Sequence, residues 1–344
     1  MPPQPHLKQI LEARSTLTRE QARDLMQQIL SGQLTDLEIA ALLGALAARG
    51  ETASEIAGFV DVMRTAVTPI PLTDAERKNL VDTCGTGGDA SGTFNISTAA
   101  ALVAAATPDA NLMVAKHGNR AITSQTGSAD VLEALGIPVD LTPEQAATAL
   151  RTHHFAFLHA PSLHPAMKAV MPVRRALGVR TIFNILGPLT NPAGASAQVM
   201  GVYAAHLVPI VAEAMSLLGT HHAFVVHGST LREKGLDEIS ISGPTQLAEV
   251  HDSAVTIATV TPEDLGLPRA PIETLQGGNA QTNAAILTTI FSGEQGPRRD
   301  IVLLNAAAVL VAADLALDLP NGIALAAKTI DSGAVTRLIA NLRV

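Results

Sequence analysis

The chain has 344 residues, 47% of them hydrophobic and 2% aromatic, with no tryptophan and one tyrosine. That length holds two structural units around an aliphatic core, and the scarcity of aromatics argues against base-stacking single-strand binders and aromatic carbohydrate platforms. A net charge of −8 argues against a general polyanion-binding surface, nucleic acid included, but leaves room for a local basic pocket.

One cysteine, Cys84, excludes an internal disulfide framework, and it reads as a small buried hydrophobe at a strand end. The opening Met-Pro-Pro-Gln-Pro-His lacks the basic region and apolar run of a signal peptide. No apolar stretch reaches the roughly 18 residues of a membrane span; Val302–Leu317 comes nearest but carries Asn305 and Asp314. The expectation is a soluble, cytoplasmic protein without a membrane partner.

Residues 7–67 read as a run of helices. Thr18 opens one, and Thr35 opens the next with Glu38 at the capping-box position. Ile39, Leu42, Leu43 and Leu46 form its apolar stripe, and Gly50 stops it. A third helix runs from Thr52 to Val67, with Ile56, Phe59, Val60 and Met63 on one face. The prolines of Thr68–Thr73 mark a linker.

From about residue 78 short strand-like runs alternate with helices. The predicted strands are Leu80–Val81, Leu112–Ala115, Phe155–Leu158, Val199–Tyr203, Ala223–His227, Glu238–Ile241 and Leu247–Val250. Helices begin at caps such as Thr142-Pro143. The alternation predicts an α/β domain with a mostly parallel sheet. Pro172 to Pro192, with basic residues and prolines, reads as an excursion from that sheet domain.

The most informative stretch is Asp82-Thr-Cys-Gly-Thr-Gly-Gly-Asp-Ala-Ser-Gly-Thr-Phe-Asn-Ile-Ser-Thr98, between the first strand and an alanine-rich helix over Ser97–Ala106. Gly85, Gly87, Gly88 and Gly92 let bare N–H groups approach an anion, and the helix adds its positive end. The segment is neither a G-x-x-x-x-G-K-[ST] loop nor a G-x-G-x-x-G loop. Asp89 inside it would repel a phosphate unless a metal ion or sugar hydroxyls lie between. A plain glycine-rich connector is the bland alternative; the glycines, Asp89 and the Asn-Ile-Ser-Thr entry together favour a phosphate or pyrophosphate cradle.

Three other constellations carry chemistry. Lys116-His117-Gly118-Asn119-Arg120, followed by the hydroxyl-rich 123–130 segment, comes after a strand end and reads as a second anion-binding loop. Its alternative is a solvated basic turn with a helix cap at Ser128. His159 to Lys168, followed by Arg174 and Arg175, forms a histidine-and-arginine rim suited to a carboxylate ligand. His153-His154 is structural by its helix-end position, and His159 and His164 lack a carboxylate at zinc-ligand spacing. Asp237-Glu238 is an exposed acidic loop if taken alone, and a Mg²⁺ pair if phosphates occupy the glycine loops.

In this order, Gly-Thr-Gly-Gly-Asp, Asn-Ile-Ser-Thr, Lys-His-Gly-Asn-Arg, His-Pro-Ala-Met-Lys, Arg-Thr-Ile-Phe-Asn-Ile-Leu-Gly-Pro-Leu-Thr-Asn-Pro and Leu-Asp-Glu-Ile-Ser resemble the anthranilate phosphoribosyltransferases of tryptophan biosynthesis. The resemblance spans nearly the whole chain. It implies an α/β architecture with a small N-terminal helical domain, residues 1–73 completed by helices within about 172–195. The larger domain, 74–344, would bind phosphoribosyl pyrophosphate, and two chains would associate as a homodimer through the helical domains.

The resemblance further implies transfer of phosphoribose from phosphoribosyl pyrophosphate to the amine of anthranilate, releasing pyrophosphate. Gly85, Gly88, Asp89, Thr93, Asn95, Ile96, Ser97 and Thr98 would line the phosphoribosyl pyrophosphate site. Lys116, His117, Gly118, Asn119, Arg120, Ala121, Ile122, Thr123, Ser124 and Ser128 would form its second wall. Gly85, Asn119 and Arg174 would meet anthranilate, Arg174 through the carboxylate. Two Mg²⁺ ions are implied, with Ser97 touching one and Asp237 and Glu238 holding the other.

The chain departs from the family pattern in three places: a longer Ser229–Lys234 connection, Thr123 and Gln125 in place of serine and lysine, and Asn279 where aspartate is usual. No catalytic duty falls to the Gly277-Gly278-Asn279 segment. His117 and His164 are the candidates for accepting the amine proton, and the sequence does not choose between them. A nucleoside phosphorylase would share the fold but carry a Lys-x-Ser-Gly-Arg-Gly type segment where Lys116–Arg120 stands. A non-catalytic nucleic-acid-binding relative would have lost the substrate motifs and gained a basic surface.

Overall fold

The computed structural model describes residues 5–108, 110–121, 125–230 and 235–343. Four helices come first: α1 (Pro5–Leu11), α2 (Arg19–Leu30), α3 (Asp36–Arg49) and α4 (Ala53–Thr65). Capping boxes at Thr18/Gln21, Thr35/Glu38 and Thr52/Glu55 start α2, α3 and α4, because each threonine hydroxyl accepts an otherwise orphaned amide. Glu55 has a second task. Fully buried, it pairs with Arg49 at the end of α3 and accepts the Leu17 amide at 2.8 Å, tying three helix ends together.

After a short α5 (Asp74–Arg77) the chain alternates through β1 (Leu80–Gly85), α6 (Ile96–Ala105), β2 (Met113–Gly118), α7 (Ser128–Ala134), α8 (Pro143–His153) and β3 (Phe155–His159). A short α9 (Ala160–Leu163) stays against β3, and the helices α10 (Met171–Leu177) and α11 (Phe183–Leu186) leave the sheet and pack with α3 and α4, where the sequence predicts the proline-rich excursion. Then follow β4 (Ala197–Gly201), α12 (Leu207–Leu217), β5 (His222–Ser229), β6 (Gly235–Leu236), β7 (Thr245–His251) and β8 (Ala254–Val260). Four helices close the chain: α13 (Ala280–Phe291), α14 (Pro297–Ala312), α15 (Leu319–Asp331) and α16 (Ala334–Leu342). The molecule is thus a helical bundle joined to an α/β unit.

The sheet order is β3-β2-β1-β4-β5-β7-β8, parallel from β3 to β5 and antiparallel beyond, with β6 pairing β5. From β1 the chain winds outward to β2 and β3, then returns to lay β4 on the other side of β1. Such a reversal opens a crevice at the carboxyl ends of the strands. Helix α6 lies between the sheet and α14, and its alanines are buried on every side, so it reads apolar all round. The Val302–Leu317 run belongs largely to the buried α14, and among the described residues no helix is long and apolar enough to cross a membrane.

Two strand expectations need correction. Residues 238–241 form no strand, since β6 ends at Leu236. Ile239 and Ile241 are buried under α14, where Asn305 receives the Ile239 amide at 2.9 Å and donates to its carbonyl at 3.0 Å. One buried side-chain amide thus replaces a ladder partner, and the apolar alternation reports burial, not pairing. The edge strand β8 was not anticipated, and the predicted Val199–Tyr203 strand starts two residues earlier and ends at Gly201.

The candidate active site at the switch point

The ends of β1, β2, β4 and β5 converge on one rim. Gly85 ends β1, and a Cβ there would lie 2.2 Å from an Asp237 carboxylate oxygen; one on Gly201 of β4 would lie 1.6 Å from the Asp237 carbonyl. Absence of side chains at these two strand ends lets the 237–238 backbone cross them. Beyond Gly85, Gly87 and Gly88 take left-handed φ values of 70° and 78°, with open space where a Gly87 side chain would be. The loop is therefore bare backbone by necessity.

Asp237 accepts the Gly87 amide at 2.8 Å, and its own amide faces Asp89 at 3.4 Å. Glu238 accepts the Ser97 amide at 3.0 Å, at the N-terminus of α6, where the helix dipole favours an anion. Burial, with the Asp89 charge added, pushes the Asp237 carboxyl up to about 7. Burial and then Asp237 push Glu238 up as well. Lys116, 2% exposed, donates to the Thr83 carbonyl at 2.7 Å and to Ser97 Oγ at 3.2 Å, and burial lowers its pKa. Behind it Asp82, buried in mid-strand rather than at a strand end, accepts the His117 amide at 3.1 Å; burial raises its carboxyl to about 6. Three carboxylates and one lysine share a desolvated corner. A divalent cation fits that charge balance.

Asn95 caps α6 in position but without a side-chain cap bond; its Oδ1 accepts from Asn283 Nδ2 and its Nδ2 donates to the Thr126 carbonyl instead. Ile96 and Thr98 are buried, so this entry can offer a ligand main chain and Ser97 more readily than those side chains. Thr93 bridges Gln276, and Gly277 donates to the Gly92 carbonyl at 2.9 Å. The Gly277-Gly278-Asn279 segment therefore braces the cradle from behind, with Asn279 capping α13.

On the second wall, Ser128 is the first residue of α7 and not its cap; its hydroxyl donates to the Asn119 carbonyl at 3.2 Å. Gly118 makes room for that hydroxyl. Arg120 turns its guanidinium to Glu133, Asp130 and Asp140, so its side chain is engaged away from the glycine loop. Ala121 donates its amide to Asp130 at 2.9 Å. Ile122, Thr123 and Ser124 lie outside the described residues, as do Leu231–Lys234 of the longer connection.

The His117 and His164 rings lie tilted by 31° with centroids 4.9 Å apart, on the face of β2 opposite Lys116. Burial first, then His164, lowers the His117 pKa to about 3, and its Nε2 has no hydrogen-bond partner among the described residues. His164 sets both ring nitrogens against main-chain carbonyls, Ala160 and Thr190, at 3.0 Å each. Both rings are poor proton acceptors near neutral pH.

Arg174 lies on α10, half-buried, 5.4 Å over the Phe183 ring; burial lowers its pKa, and no carboxylate stands beside it among the described residues. No hydrogen bond or ion pair among the described residues joins it to the glycine loop. Arg180 does join that loop: its guanidinium donates to the Gly88 carbonyl and lies 4.5 Å over the Tyr203 ring. Sequence reasoning gave Arg180 no role, since the partners are 92 residues apart and no local pattern connects them.

Comparisons with known proteins agree with this layout. Residues 77–336 match the glycosyl transferase family a/b domain, and residues 4–67 match the helical bundle domain of the same family. The chain is 52% identical over 337 residues to the anthranilate phosphoribosyltransferase of Symbiobacterium thermophilum, covering 98% of this chain and 96% of that one. It is 51% identical over 329 residues to that of Chloroflexus aurantiacus, covering 95% and 94%. Among solved structures, the enzyme of Thermus thermophilus superposes with a TM-score of 0.88 at 42% identity, covering 98% and 99%. The Saccharomyces cerevisiae enzyme, in complex with PRPP and Mg, superposes at 0.86 with 27% identity, covering 98% and 96%. A cradle at the switch point, both domain matches and half-identity over almost the whole length lead to one conclusion: the chain belongs to the anthranilate phosphoribosyltransferase family.

Proposed function

We propose that this protein transfers the phosphoribosyl group of phosphoribosyl pyrophosphate to the amine of anthranilate, giving N-(phosphoribosyl)anthranilate and pyrophosphate in tryptophan biosynthesis. The observation that carries the reading is the meeting of a bare glycine loop, a helix N-terminus and a buried lysine with three carboxylates at one strand-end crevice. A polyanion that arrives with a divalent cation satisfies both halves of that corner.

In this reading the loop from Gly85 to Asp89, Thr93 and the Asn95–Thr98 entry hold phosphoribosyl pyrophosphate, with Lys116–Ser124 and Ser128 opposite. Asp237, Glu238 and Ser97 hold magnesium, two ions in all. When bound, magnesium offsets the charge of the departing pyrophosphate. Lys116, fixed by Thr83 and Ser97, adds a positive charge that needs no rearrangement as the ribose–oxygen bond breaks. Arg174 takes the anthranilate carboxylate, with Asn119 and Gly85 beside the ring, and so aligns the amine.

An aromatic amine is a weak base and attacks neutral, so activation beforehand is unnecessary. Burial lowers the pKa of both His117 and His164, so neither is assigned the late proton. We assign residues 1–73 with 172–195 to the helical domain and place a homodimer contact there, supported by Leu11 and Leu37, 54% and 83% exposed. A cytoplasmic site of action suits these soluble substrates.

The test is loss of anthranilate fluorescence with phosphoribosyl pyrophosphate and Mg²⁺. Turnover that stops when either is omitted supports the assignment. Phosphorolysis of a nucleoside with no use of anthranilate would replace it by the phosphorylase reading.

A further inference from the structure

At the opposite rim of the sheet, β5 enters at His222, paired across the antiparallel ladder with His251 of β7. Register alone therefore brings His221, His222, His251 and Asp252 together, about 23 Å along β5 from its active-site end at some 3.3 Å per residue. Asp314, just past α14, completes the group: its two oxygens lie 3.0 Å from His221 Nε2 and 2.9 Å from His222 Nδ1. His221 Nδ1 faces Asp252 at 3.2 Å, and His222 Nε2 faces Glu249 at 2.9 Å.

Each of these two imidazoles thus has a carboxylate at both nitrogens, yet a neutral imidazole has one hydrogen to donate. If His221 gives its Nε2–H to Asp314, a lone pair on Nδ1 points at the Asp252 carboxylate. A second ring proton or a metal cation between them removes that repulsion. His251 stands at the same place, its Nε2 3.9 Å from Asp252. One donor atom each from His221, His251 and Asp252 lie within 4.8 Å of one another. A tetrahedral ion with bonds of about 2.0–2.1 Å needs its ligands some 3.3 Å apart, a closure that exposed side chains make by rotation.

The backbone fixes where these side chains start. Asp252 and Ser253 have φ of 47° and 70°, and Asp314 has 56°, half of the six left-handed non-glycine residues described. Asp252-Ser253 is the two-residue turn that joins β7 to β8, which needs φ above zero at both positions, and Ser216 Oγ donates to the Ser253 carbonyl at 2.8 Å.

We propose that His221, His251 and Asp252 form a binding site for a divalent transition-metal ion, zinc by ligand chemistry, with Asp314 orienting the His221 imidazole. Two imidazoles and one carboxylate suit zinc, with water in the fourth position. A carboxylate accepting the far N–H of a ligating histidine is the usual second partner of such sites. His222, Glu249 and His251 form an overlapping set. It shares His251, so one ion binds at a time, and its His222 is buried, whereas His221, His251 and Asp252 are all exposed and free to rotate onto an ion. The bound ion clamps the β7–β8 turn to the start of β5.

The full-length protein is titrated with Zn²⁺ by calorimetry in excess Mg²⁺, which occupies oxygen-rich sites but not imidazoles. One Zn²⁺ per chain and a raised unfolding midpoint are expected. His251→Gln should abolish the tight phase, and Asp314→Asn should weaken it roughly 10- to 100-fold. The double variant Asp237→Asn/Glu238→Gln should keep it, which separates this site from the active-site carboxylates. Transferase activity of His251→Gln should equal wild type. Absence of a Zn²⁺ phase in the wild-type protein, or an unchanged one in both His251→Gln and Asp252→Asn, would overturn the proposal and leave a proton-bridged ion-pair network.

Discussion

The two rims of one sheet treat charge in opposite ways. At the carboxyl-end rim Asp89, Asp237 and Glu238 crowd together and burial raises Asp237 to about 7, so the corner is short of positive charge. At the amino-end rim burial also pushes Asp314 up, but His222 and His221 outweigh it and hold its carboxyl below the usual range. Unbalanced charge marks the rim that awaits an ionic ligand; balanced charge marks the rim that is complete or takes only one small ion.

The sharpest way to break this comparison is to neutralise the unbalanced corner without changing its shape. Asp237→Asn/Glu238→Gln should lower kcat/KM by about 100- to 1,000-fold, roughly 3–4 kcal/mol of transition-state stabilisation. The same change should raise the unfolding midpoint without Mg²⁺, because it removes repulsion between adjacent, partly buried carboxylates. Steady-state kinetics and calorimetry read the two effects; a fall in both activity and stability would mean the carboxylates are structural.

Arg174→Ala comes next. A guanidinium–carboxylate pair in a half-dry site is worth about 2–3 kcal/mol, so the anthranilate KM should rise roughly 30- to 150-fold. The KM for phosphoribosyl pyrophosphate should move far less, and lysine should rescue only in part. Equal rises in both constants would show a general electrostatic role.

His117 sharpens the contrast among histidines, since it is buried without an acid while His222 is buried between two. Its pKa falls from 6.5 to about 3 on folding. The unfolded chain therefore binds a proton below pH 6.5 that the folded chain refuses, and the stability present above 6.5 is lost as pH falls toward 3. Denaturation at pH 5 should show the wild-type protein losing about 2 kcal/mol relative to His117→Gln. Parallel pH profiles would show that His117 is charged in the fold or exposed to solvent.

The smallest effect is that of Gly87→Ala. Space is open there, so the cost is the left-handed backbone alone, about 1–2 kcal/mol. Phosphoribosyl pyrophosphate KM should rise several-fold with anthranilate KM steady; no change in either would make the loop a mere connector.

The glycine loop, the capping boxes and the alternation of strands with helices were legible in the chain because each is a local property. Backbone freedom, cap hydrogen bonds and side-chain periodicity are set by residues within a turn or two of one another. For the same reason the pattern misled at Ile239–Ile241, where alternation reflected burial beneath Asn305 and not a ladder. What joined Asp237 to Gly85, Arg180 to Gly88, and His221 to Asp314 was register and the fold-back of β4 beside β1. Those contacts span separations of 92 residues and more, and no local energy encodes them. Residue type by itself told that charges, glycines and histidines were present. Only packing decided which were buried and which were left without a partner, because a pKa and a coordination geometry depend on what lies within a few ångströms in space.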